Sequence, residues 1–348
     1  MTTKDTKGAR RSNHGVQVIV TLDDIQQARA RLQGVAAHTP LIESHLLHPH
    51  DDRGLYLKPE NLQPIGAFKV RGAYNKIAAL SDGERRRGVI TYSSGNHAQG
   101  VAYAARALGV KAVVVMPANA PANKREATAA MGAELVLVGP GSDERRDRAE
   151  QLAAQEGYVV VPPYNDEKII AGQGTIGLEI LEDLPEVETV LCPVGGGGLI
   201  SGVATAIKLT APSVRVIGVE PELAADAQAS LRAGKVVQLP AEQVSRTAAD
   251  GLRTQSIGDI NFEHIRRYVD EIITVSEEEI EDTMLRLAEN SRTIAEPSGA
   301  VSVAGFLFHK GELPASKISV AVISGGNIAP ESLARVQSAV RSTGRSLQ

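Results

Sequence analysis

The feature that most constrains the fold is the alternation of short apolar runs with helical patterns along almost the whole chain. Between residues 88 and 163, runs such as GVITYSS and KAVVVMP, rich in β-branched residues, each precede a segment with helical periodicity. Strands joined through helices pair as parallel neighbours, with the helices covering the faces of the sheet. The pattern therefore predicts an α/β fold with mostly parallel, twisted sheets flanked by helices.

The order of these runs predicts two domains. A second series extends from TVLCPVGGGG to ISVAVISGGN, and the earlier segment GLYLKPE belongs with it. The chain is then expected to enter one domain, leave it to build the other, and return. We predict a large domain from residues 19–87 and 164–348, and a small domain from residues 88–163. Residues 1–18 are polar, and we predict that they form a flexible N-terminal tail.

Composition excludes several classes of function. The net charge of −4 over 348 residues argues against nucleic acid or an anionic membrane as a partner. No apolar run reaches the roughly 18 residues that a membrane span needs. Cys192 is the only cysteine, which excludes an intrachain disulfide, a zinc knuckle and a redox pair. We expect a cytoplasmic protein that acts on a small molecule.

A run of glycines predicts a phosphate site. Gly195–Gly198 follow an apolar strand and precede a helix that begins near Leu199. Glycines allow successive backbone N–H groups to point into one concavity, and the helix N-terminus adds partial positive charge. A tight turn without a ligand is one alternative. An NAD-binding oxidoreductase, with Glu220 as the ribose-binding acid, is another. Its fingerprint fits poorly, because Ile200 stands where a glycine or alanine is expected.

Lys69 supplies the second half of a cofactor hypothesis. It lies between apolar neighbours in GAFKVRGA, about 130 residues before the glycine run. A lysine amine and a phosphate cradle are the two groups that hold pyridoxal phosphate, one through a covalent bond and the other electrostatically. The pair therefore predicts an enzyme that uses pyridoxal phosphate. A surface lysine without a chemical role is the alternative.

Four segments, taken together and in order, resemble the fold-type II pyridoxal-phosphate enzymes, specifically the serine/threonine dehydratase and serine racemase group. These are GAFKVRGA around the Schiff-base lysine, SSGNHAQG in the ring and substrate loop, GGGGL in the phosphate loop and SGGN beside the pyridine nitrogen. The resemblance covers about residues 20 to 335. Ala67 departs from it, since many members have serine there, and we interpret the alanine as tolerated.

The resemblance implies a role for each cofactor-binding residue. Lys69 forms the Schiff base and afterwards moves the Cα proton of the substrate. Phe68 packs against the cofactor ring, Asn96 binds its phenolic oxygen, and Ser324 faces its pyridine nitrogen. Glu296 lies near the cofactor or supports the loop that contains Ser324. A structural helix acid is the alternative. The phosphate is held by Gly195, Gly196, Gly197, Gly198 and Leu199.

The resemblance also implies how the substrate is bound. The loop of Ser93, Ser94, Asn96 and His97 grips the substrate carboxylate at the start of a helix. Ser94 matches the second acid/base that racemisation requires, although the same serine occurs in dehydratases. Arg146 aligns with an arginine near the distal part of the substrate, which admits a hydroxyaspartate substrate. Helix-capping residues and a solvated arginine are the plain alternatives.

A divalent-cation site is predicted after a strand end. Glu220, the Ala224 carbonyl and Asp226 form an oxygen-only set suited to Mg²⁺ or Ca²⁺, with waters completing the shell. In the serine-racemase-like branch, a matching Glu, backbone carbonyl and Asp bind such a cation. Two solvated acids in a surface turn are the alternative. We expect the cation to be structural.

These expectations define one function with stated alternatives. We predict an ammonia-lyase that converts L-threonine or L-serine to a 2-oxo acid and ammonia, acting as a homodimer. A serine or aspartate racemase and a hydroxyaspartate ammonia-lyase are the alternatives within the family. The NAD-binding oxidoreductase is the alternative from another class.

Overall fold

Two β-sheets organise the computed structural model, which describes residues 19–46, 51–93, 95–120, 122–139, 141–329, 331–335 and 338. The predicted flexible tail of residues 1–18 lies outside the described residues. The strands in chain order are β1 (Ile42–Glu43), β2 (Gly54–Pro59), β3 (Val89–Tyr92), β4 (Ala112–Pro117), β5 (Glu134–Val138), β6 (Val159–Val160), β7 (Thr189–Pro193), β8 (Arg215–Pro221), β9 (Glu271–Val275) and β10 (Ile318–Ile323).

Helices separate most of these strands. They are α1 (Leu22–Leu32), α2 (Lys69–Ala78), α3 (Asp82–Arg87), α4 (Asn96–Ala107), α5 (Ala122–Ala130), α6 (Ser142–Glu156), α7 (Glu167–Asp183), α8 (Gly198–Thr210), α9 (Asp226–Ala233), α10 (Ala241–Val244), α11 (Asp259–Tyr268), α12 (Glu277–Asn290) and α13 (Pro297–Phe308). Short 3-10 turns lie at Glu60–Leu62, Glu222–Ala224 and Asp250–Leu252. None of the helices in the described ranges combines the length and hydropathy that a membrane span requires.

The larger sheet has the strand order β1-β2-β10-β7-β8-β9. All its neighbours are parallel except β1, which pairs antiparallel with β2. Its central strands are apolar on both faces, as expected where helices cover a parallel sheet on both sides. β2 joins this sheet through β10, so the early segment GLYLKPE pairs with a strand more than 250 residues later.

The smaller sheet has the strand order β5-β4-β3-β6 and is entirely parallel. All four strands lie between residues 89 and 160. This confinement supports the predicted small domain at residues 88–163, although the division of the chain into domains stays a prediction. The predicted α/β class with mostly parallel sheets is confirmed.

Helices α2, α7 and α8 pack against each other unusually closely because glycines line their contacts. A Cβ at Gly172 of α7 would lie 2.7 Å from the Arg71 carbonyl oxygen of α2. A Cβ at Gly202 of α8 would lie 2.3 Å from the Ile170 carbonyl oxygen of α7. Real Cβ atoms do not approach backbone so closely, so these crossings require glycine. The start of α2 is thereby fixed against the larger sheet's helices.

A buried ion-pair network anchors the same helix. Arg71 contacts Glu60 through two hydrogen bonds, at 2.8 and 2.9 Å, and contacts Glu179 through two others, at 2.6 and 2.8 Å. Lys58 adds a 2.7 Å contact to Glu179. All four side chains are buried. Because every charge has a partner, the network holds the first turn of α2 in one position.

Candidate active site

One cavity of about 730 Å³ lies between the elements of the two sheets. Its walls include most of the residues that the sequence singles out. They are Phe68, Lys69, Ser93, Asn96, His97, Arg146, Gly195, Gly196, Gly197, Gly198, Leu199, Glu296 and Ser324. The predicted site residues, apart from those of the cation site and Ser94, are therefore brought together in one place. Ser94 lies outside the described residues.

Lys69 is the first residue of α2, and its side chain lines the cavity. Its Nζ donates a 2.8 Å hydrogen bond to the Pro163 carbonyl oxygen and lies 5.0 Å from the centre of the Phe68 ring. Burial lowers the pKa of Lys69 to about 8, because desolvation disfavours the charged amine. A substantial fraction of the amine is therefore neutral near physiological pH. A neutral amine is the form that attacks a carbonyl or accepts a proton.

Backbone contacts join the Lys69 segment to the Ser324 loop. Ala67 bridges Gly325 in antiparallel pairing, and the Phe68 N–H donates to the Ser324 carbonyl oxygen at 3.1 Å. The buried Ser324 hydroxyl in turn donates to the Ser298 carbonyl oxygen at 3.3 Å. The predicted carrier lysine and the predicted partner of the pyridine nitrogen thus belong to one hydrogen-bonded unit.

Asn96 connects this unit to the smaller sheet. It begins α4, where its Nδ2 donates to Glu296 Oε1 at 2.5 Å and its Oδ1 accepts from Asn327 Nδ2 at 2.8 Å. Burial and the charge of Asp250 raise the pKa of Glu296 to about 7. Glu296 therefore holds the Asn96 side chain, and its role toward the cofactor stays a prediction.

The Gly195–Gly198 loop leads into α8, as the sequence predicts. Gly197 has a φ of +92°, a conformation that residues with side chains rarely adopt. A Cβ at Gly196 would meet the Tyr164 ring at 2.2 Å, so the aromatic ring lies directly against this backbone. The N-terminus of α8 faces the same cavity as Lys69. This arrangement suits a bound phosphate at the end opposite the amine.

The remaining predicted substrate residues line the cavity with different environments. Ser93 Oγ accepts a 3.3 Å hydrogen bond from the Gly95 N–H. His97 is buried, and desolvation together with the charge of Lys69 lowers its pKa to about 3. The ring is therefore neutral, and its Nε2 lies 3.0 Å from the Val161 carbonyl oxygen. Arg146 is about half exposed at the cavity wall, with its Nε 3.9 Å from Asp147 Oδ1.

The predicted cation ligands lie away from the cavity, at the junction of β8 and α9. Glu220 and Asp226 are fully buried, and Ala224 ends the intervening 3-10 turn. Glu220 accepts hydrogen bonds from the N–H groups of Ala227 at 3.0 Å and Gln228 at 2.8 Å. Asp226 Oδ2 is buried without a hydrogen-bond partner.

Burial and mutual repulsion raise the pKa of Glu220, and burial raises the pKa of Asp226 to about 7. A buried carboxylate oxygen without a partner fits a bound cation. Among the described residues, no group of three or more His, Cys, Asp or Glu side chains is arranged around a metal.

Several residues of the site are given no role by the sequence reasoning. Tyr164 contacts the glycine loop and Pro163 contacts Lys69. Both begin the segment PYNDEKIIAGQGTIGLEI, which resembles the family but indicates no role for either residue. Lys124 and Asp250 form an ion pair at the cavity wall from segments 126 positions apart. The crowding of four consecutive glycines is the one signal that a large side chain covers the loop.

The comparisons with known proteins agree with this geometry. The family model described as "Pyridoxal-phosphate dependent enzyme" matches residues 32–325. The chain is 48% identical to an L-threonine ammonia-lyase of Thermotoga maritima, over 89% of this chain and 76% of that protein. It is 40% identical to an L-threo-3-hydroxyaspartate ammonia-lyase of Saccharomyces cerevisiae, over 89% of this chain and 94% of that protein. The structure of maize serine racemase superposes with a TM-score of 0.87 at 36% identity, covering 94% of this chain and all of that one.

The chain therefore belongs to the pyridoxal-phosphate-dependent enzymes. The predicted resemblance to the dehydratase and racemase group is confirmed, since relatives of both kinds match along most of the chain. Pyridoxal phosphate as the cofactor is confirmed at the level of the family. The alternative of an NAD-binding oxidoreductase is no longer supported, because the family model matches both the Lys69 segment and the glycine loop.

Proposed function

We propose that the protein is an ammonia-lyase that converts L-threonine or L-serine to the corresponding 2-oxo acid and ammonia. The observation that carries the proposal is the shared cavity. The Lys69 amine, with its pKa lowered by burial, and the glycine loop at the start of α8 both face it. The 48% identity to the L-threonine ammonia-lyase supports the choice of reaction.

The residues present fit pyridoxal phosphate. Lys69 would hold the aldehyde carbon, and the Gly195–Gly198 loop with Leu199 would hold the phosphate. Asn96 would bind the phenolic oxygen, and Ser324 would bind the pyridine nitrogen. When bound, the cofactor supplies a carbonyl that condenses with amino groups and an aromatic ring that withdraws electrons from the substrate Cα. Phe68, which is buried beside Lys69, is positioned to limit the space for the ring.

The protein's own groups then perform the proton transfers. Lys69 Nζ removes the Cα proton as a neutral amine, a role for which its lowered pKa is suited. The β-hydroxyl takes up one proton, matching the one that Lys69 removed, and leaves as water. Addition of another water to the imine tautomer of the resulting enamine then gives the 2-oxo acid and ammonia. The substrate carboxylate binds at the start of α4, in the loop of Ser93, Ser94, Asn96 and His97. A neutral His97 leaves the N-terminus of α4 as the main attraction for this anion.

Ser324 would hold the pyridine nitrogen of the cofactor through a neutral hydroxyl. Unlike a carboxylate at the same place, a hydroxyl would not enforce a proton on that nitrogen. Such a contact would favour loss of the β-hydroxyl over return of the proton to Cα. Racemisation of serine or aspartate remains the alternative, supported by the similarity to maize serine racemase. It requires Ser94 as the second acid/base.

A divalent cation, Mg²⁺ or Ca²⁺, belongs to the proposal as a structural element. Glu220, the Ala224 carbonyl and Asp226 are its proposed ligands, and the buried Asp226 Oδ2 without a partner supports it. The homodimer and the cytoplasmic location stay predictions.

One assay separates the candidate activities. Release of 2-oxo acid is measured with L-serine, L-threonine and the stereoisomers of 3-hydroxyaspartate, and the unreacted substrate is analysed on a chiral phase. Lys69→Ala should abolish turnover and the visible absorbance of the bound cofactor. Lys111→Ala removes an exposed lysine outside the cavity wall and serves as the matched control. Turnover by Lys69→Ala at the wild-type rate would refute the proposal.

A further inference from the structure

An ion pair closes one wall of the cavity between the two parts of the fold. Lys124 of α5 donates a 2.5 Å hydrogen bond to Asp250, which begins a 3-10 turn after α10. α5 flanks the smaller sheet, whereas Asp250 belongs to the chain around the larger one. Only 11% of the Lys124 side chain is exposed, against 42% of the Asp250 side chain. Both residues line the cavity that contains Lys69.

The Asp250 turn is fixed to the part of the cavity wall that contains Ser324. The Gly251 N–H donates to Ser298 Oγ at 2.8 Å, and the Ser298 carbonyl oxygen accepts from the Ser324 hydroxyl. The charges of the pair also act on Glu296, whose pKa Asp250 raises and Lys124 lowers. The pair is therefore within electrostatic reach of the carboxylate that holds Asn96.

Charge on the cavity wall makes the pair important for substrate choice. The described cationic side chains on the wall are Lys69, Lys124, Arg145, Arg146 and Arg253. The described carboxylates there are Asp250 and Glu296. The cofactor phosphate and the substrate α-carboxylate are present whichever substrate binds, so the groups that hold them do not discriminate. Threonine and 3-hydroxyaspartate differ in the group on Cβ, a methyl in one and a carboxylate in the other.

We propose that the Lys124–Asp250 pair determines specificity, favouring a β-hydroxy amino acid with an uncharged side chain over one with a second carboxylate. Asp250 neutralises Lys124, so that a substrate carboxylate beside the pair gains no attraction from the Lys124 charge. The inference rests on the proposed ammonia-lyase function and names the substrate class of the same site.

The test compares two substrates in reciprocal variants. The quantity measured is kcat/KM for L-threo-3-hydroxyaspartate divided by kcat/KM for L-threonine, which does not depend on the fraction of enzyme that is folded. Asp250→Asn frees Lys124 and should raise this ratio about tenfold, and Lys124→Gln leaves Asp250 uncompensated and should lower it about tenfold. The double variant should return to within about threefold of the wild type, as expected for residues that act through each other.

Arg125→Gln is the matched control, because it removes the neighbouring cation of α5 that does not line the cavity. Its ratio should equal that of the wild type. Asp250→Ser provides a second neutral variant if Asp250→Asn yields too little protein. Equal ratios in the wild type and in both single variants, with threonine turnover retained, would overturn the inference alone. A wild-type enzyme that turns over none of these substrates would overturn the proposed function instead.

Discussion

Asn96 Nδ2 donates a hydrogen bond to Glu296 Oε1 across 2.5 Å, although 200 positions separate the two residues. The bond connects the first turn of α4, beside the smaller sheet, to the residue that precedes α13, beside the larger one. Glu296 is almost fully buried and carries a carboxyl group whose pKa is raised to about 7. The contact that orients Asn96 therefore depends on a group that titrates near neutral pH.

Glu296 gives the cofactor-free protein a stability that depends on pH. The folded protein retains the Glu296 proton to about pH 7, whereas the unfolded chain loses it near 4.5. The folded state thus binds more protons in this window, and its free energy of unfolding falls as pH rises, by about 3 kcal/mol. Urea titrations of the wild type and Glu296→Gln at pH 5 and pH 8 measure the effect. The Gln variant should lack this decrease, and an equal decrease in both proteins would contradict the assignment.

Lys69 should react with the cofactor at a lower pH than an ordinary lysine does. Its pKa is lowered from 10.5 to about 8 by burial, so the nucleophilic neutral amine accumulates as pH rises through 8. The rate of the visible absorbance change after mixing cofactor-free protein with pyridoxal phosphate should rise from pH 6.5 and level off above about pH 9. A small-molecule amine with an ordinary pKa, measured alongside, should still show a rising rate there. A protein profile that follows the small amine would show that burial does not govern Lys69.

Gly196→Ala should weaken phosphate binding. The new methyl group would overlap the Tyr164 ring, since its position lies 2.2 Å from a ring carbon. Either the ring or the loop must then move, and the N–H groups of the loop no longer point toward the phosphate. We expect the dissociation constant for pyridoxal phosphate to rise at least tenfold, measured by cofactor absorbance during dialysis. Gly83→Ala is the matched control, because no atom lies within 4 Å of its Cβ position and its affinity should match the wild type.

Arg71→Met should destabilise the protein severely. The substitution leaves Glu60 and Glu179 buried without their main partner, which typically costs about 3–5 kcal/mol. Arg29→Met removes another arginine that contacts a glutamate, Glu182, where both side chains are nearly half exposed. That change should cost no more than about 1 kcal/mol. Equilibrium unfolding of the two variants compares the costs, and similar values would contradict a buried network.

Removal of divalent cations should lower the melting temperature. Without a cation, Glu220 and Asp226 face each other in a buried site where one oxygen has no partner. We expect a chelator to lower the midpoint by about 2–8 °C and added Mg²⁺ to restore it. Asp226→Asn should abolish the response, whereas Glu222→Gln, an exposed acid in the same turn, should preserve it. An unchanged midpoint in the wild type would exclude a cation at this site.

The sequence predicts the architecture well because its signals are local. Apolar runs mark strands, and the glycine loop and the lysine segment have compositions tied to one chemistry. The contacts of Tyr164 and the Lys124–Asp250 pair are different, since they depend on how distant segments meet. No periodicity near Tyr164 indicates that its ring covers Gly196. The burial of Glu220 and Asp226 is a second example, because the spacing of two acids is the same in a solvent-exposed turn and in a buried one.

The central position of β10 has a consequence for synthesis of the chain. This strand lies between β2 and β7, so the larger sheet lacks its middle until Ile318–Ile323 have left the ribosome. The smaller sheet needs only residues up to Val160 and can assemble much earlier. During translation, β2 and β7 therefore each have one edge without a hydrogen-bonding partner until β10 is added.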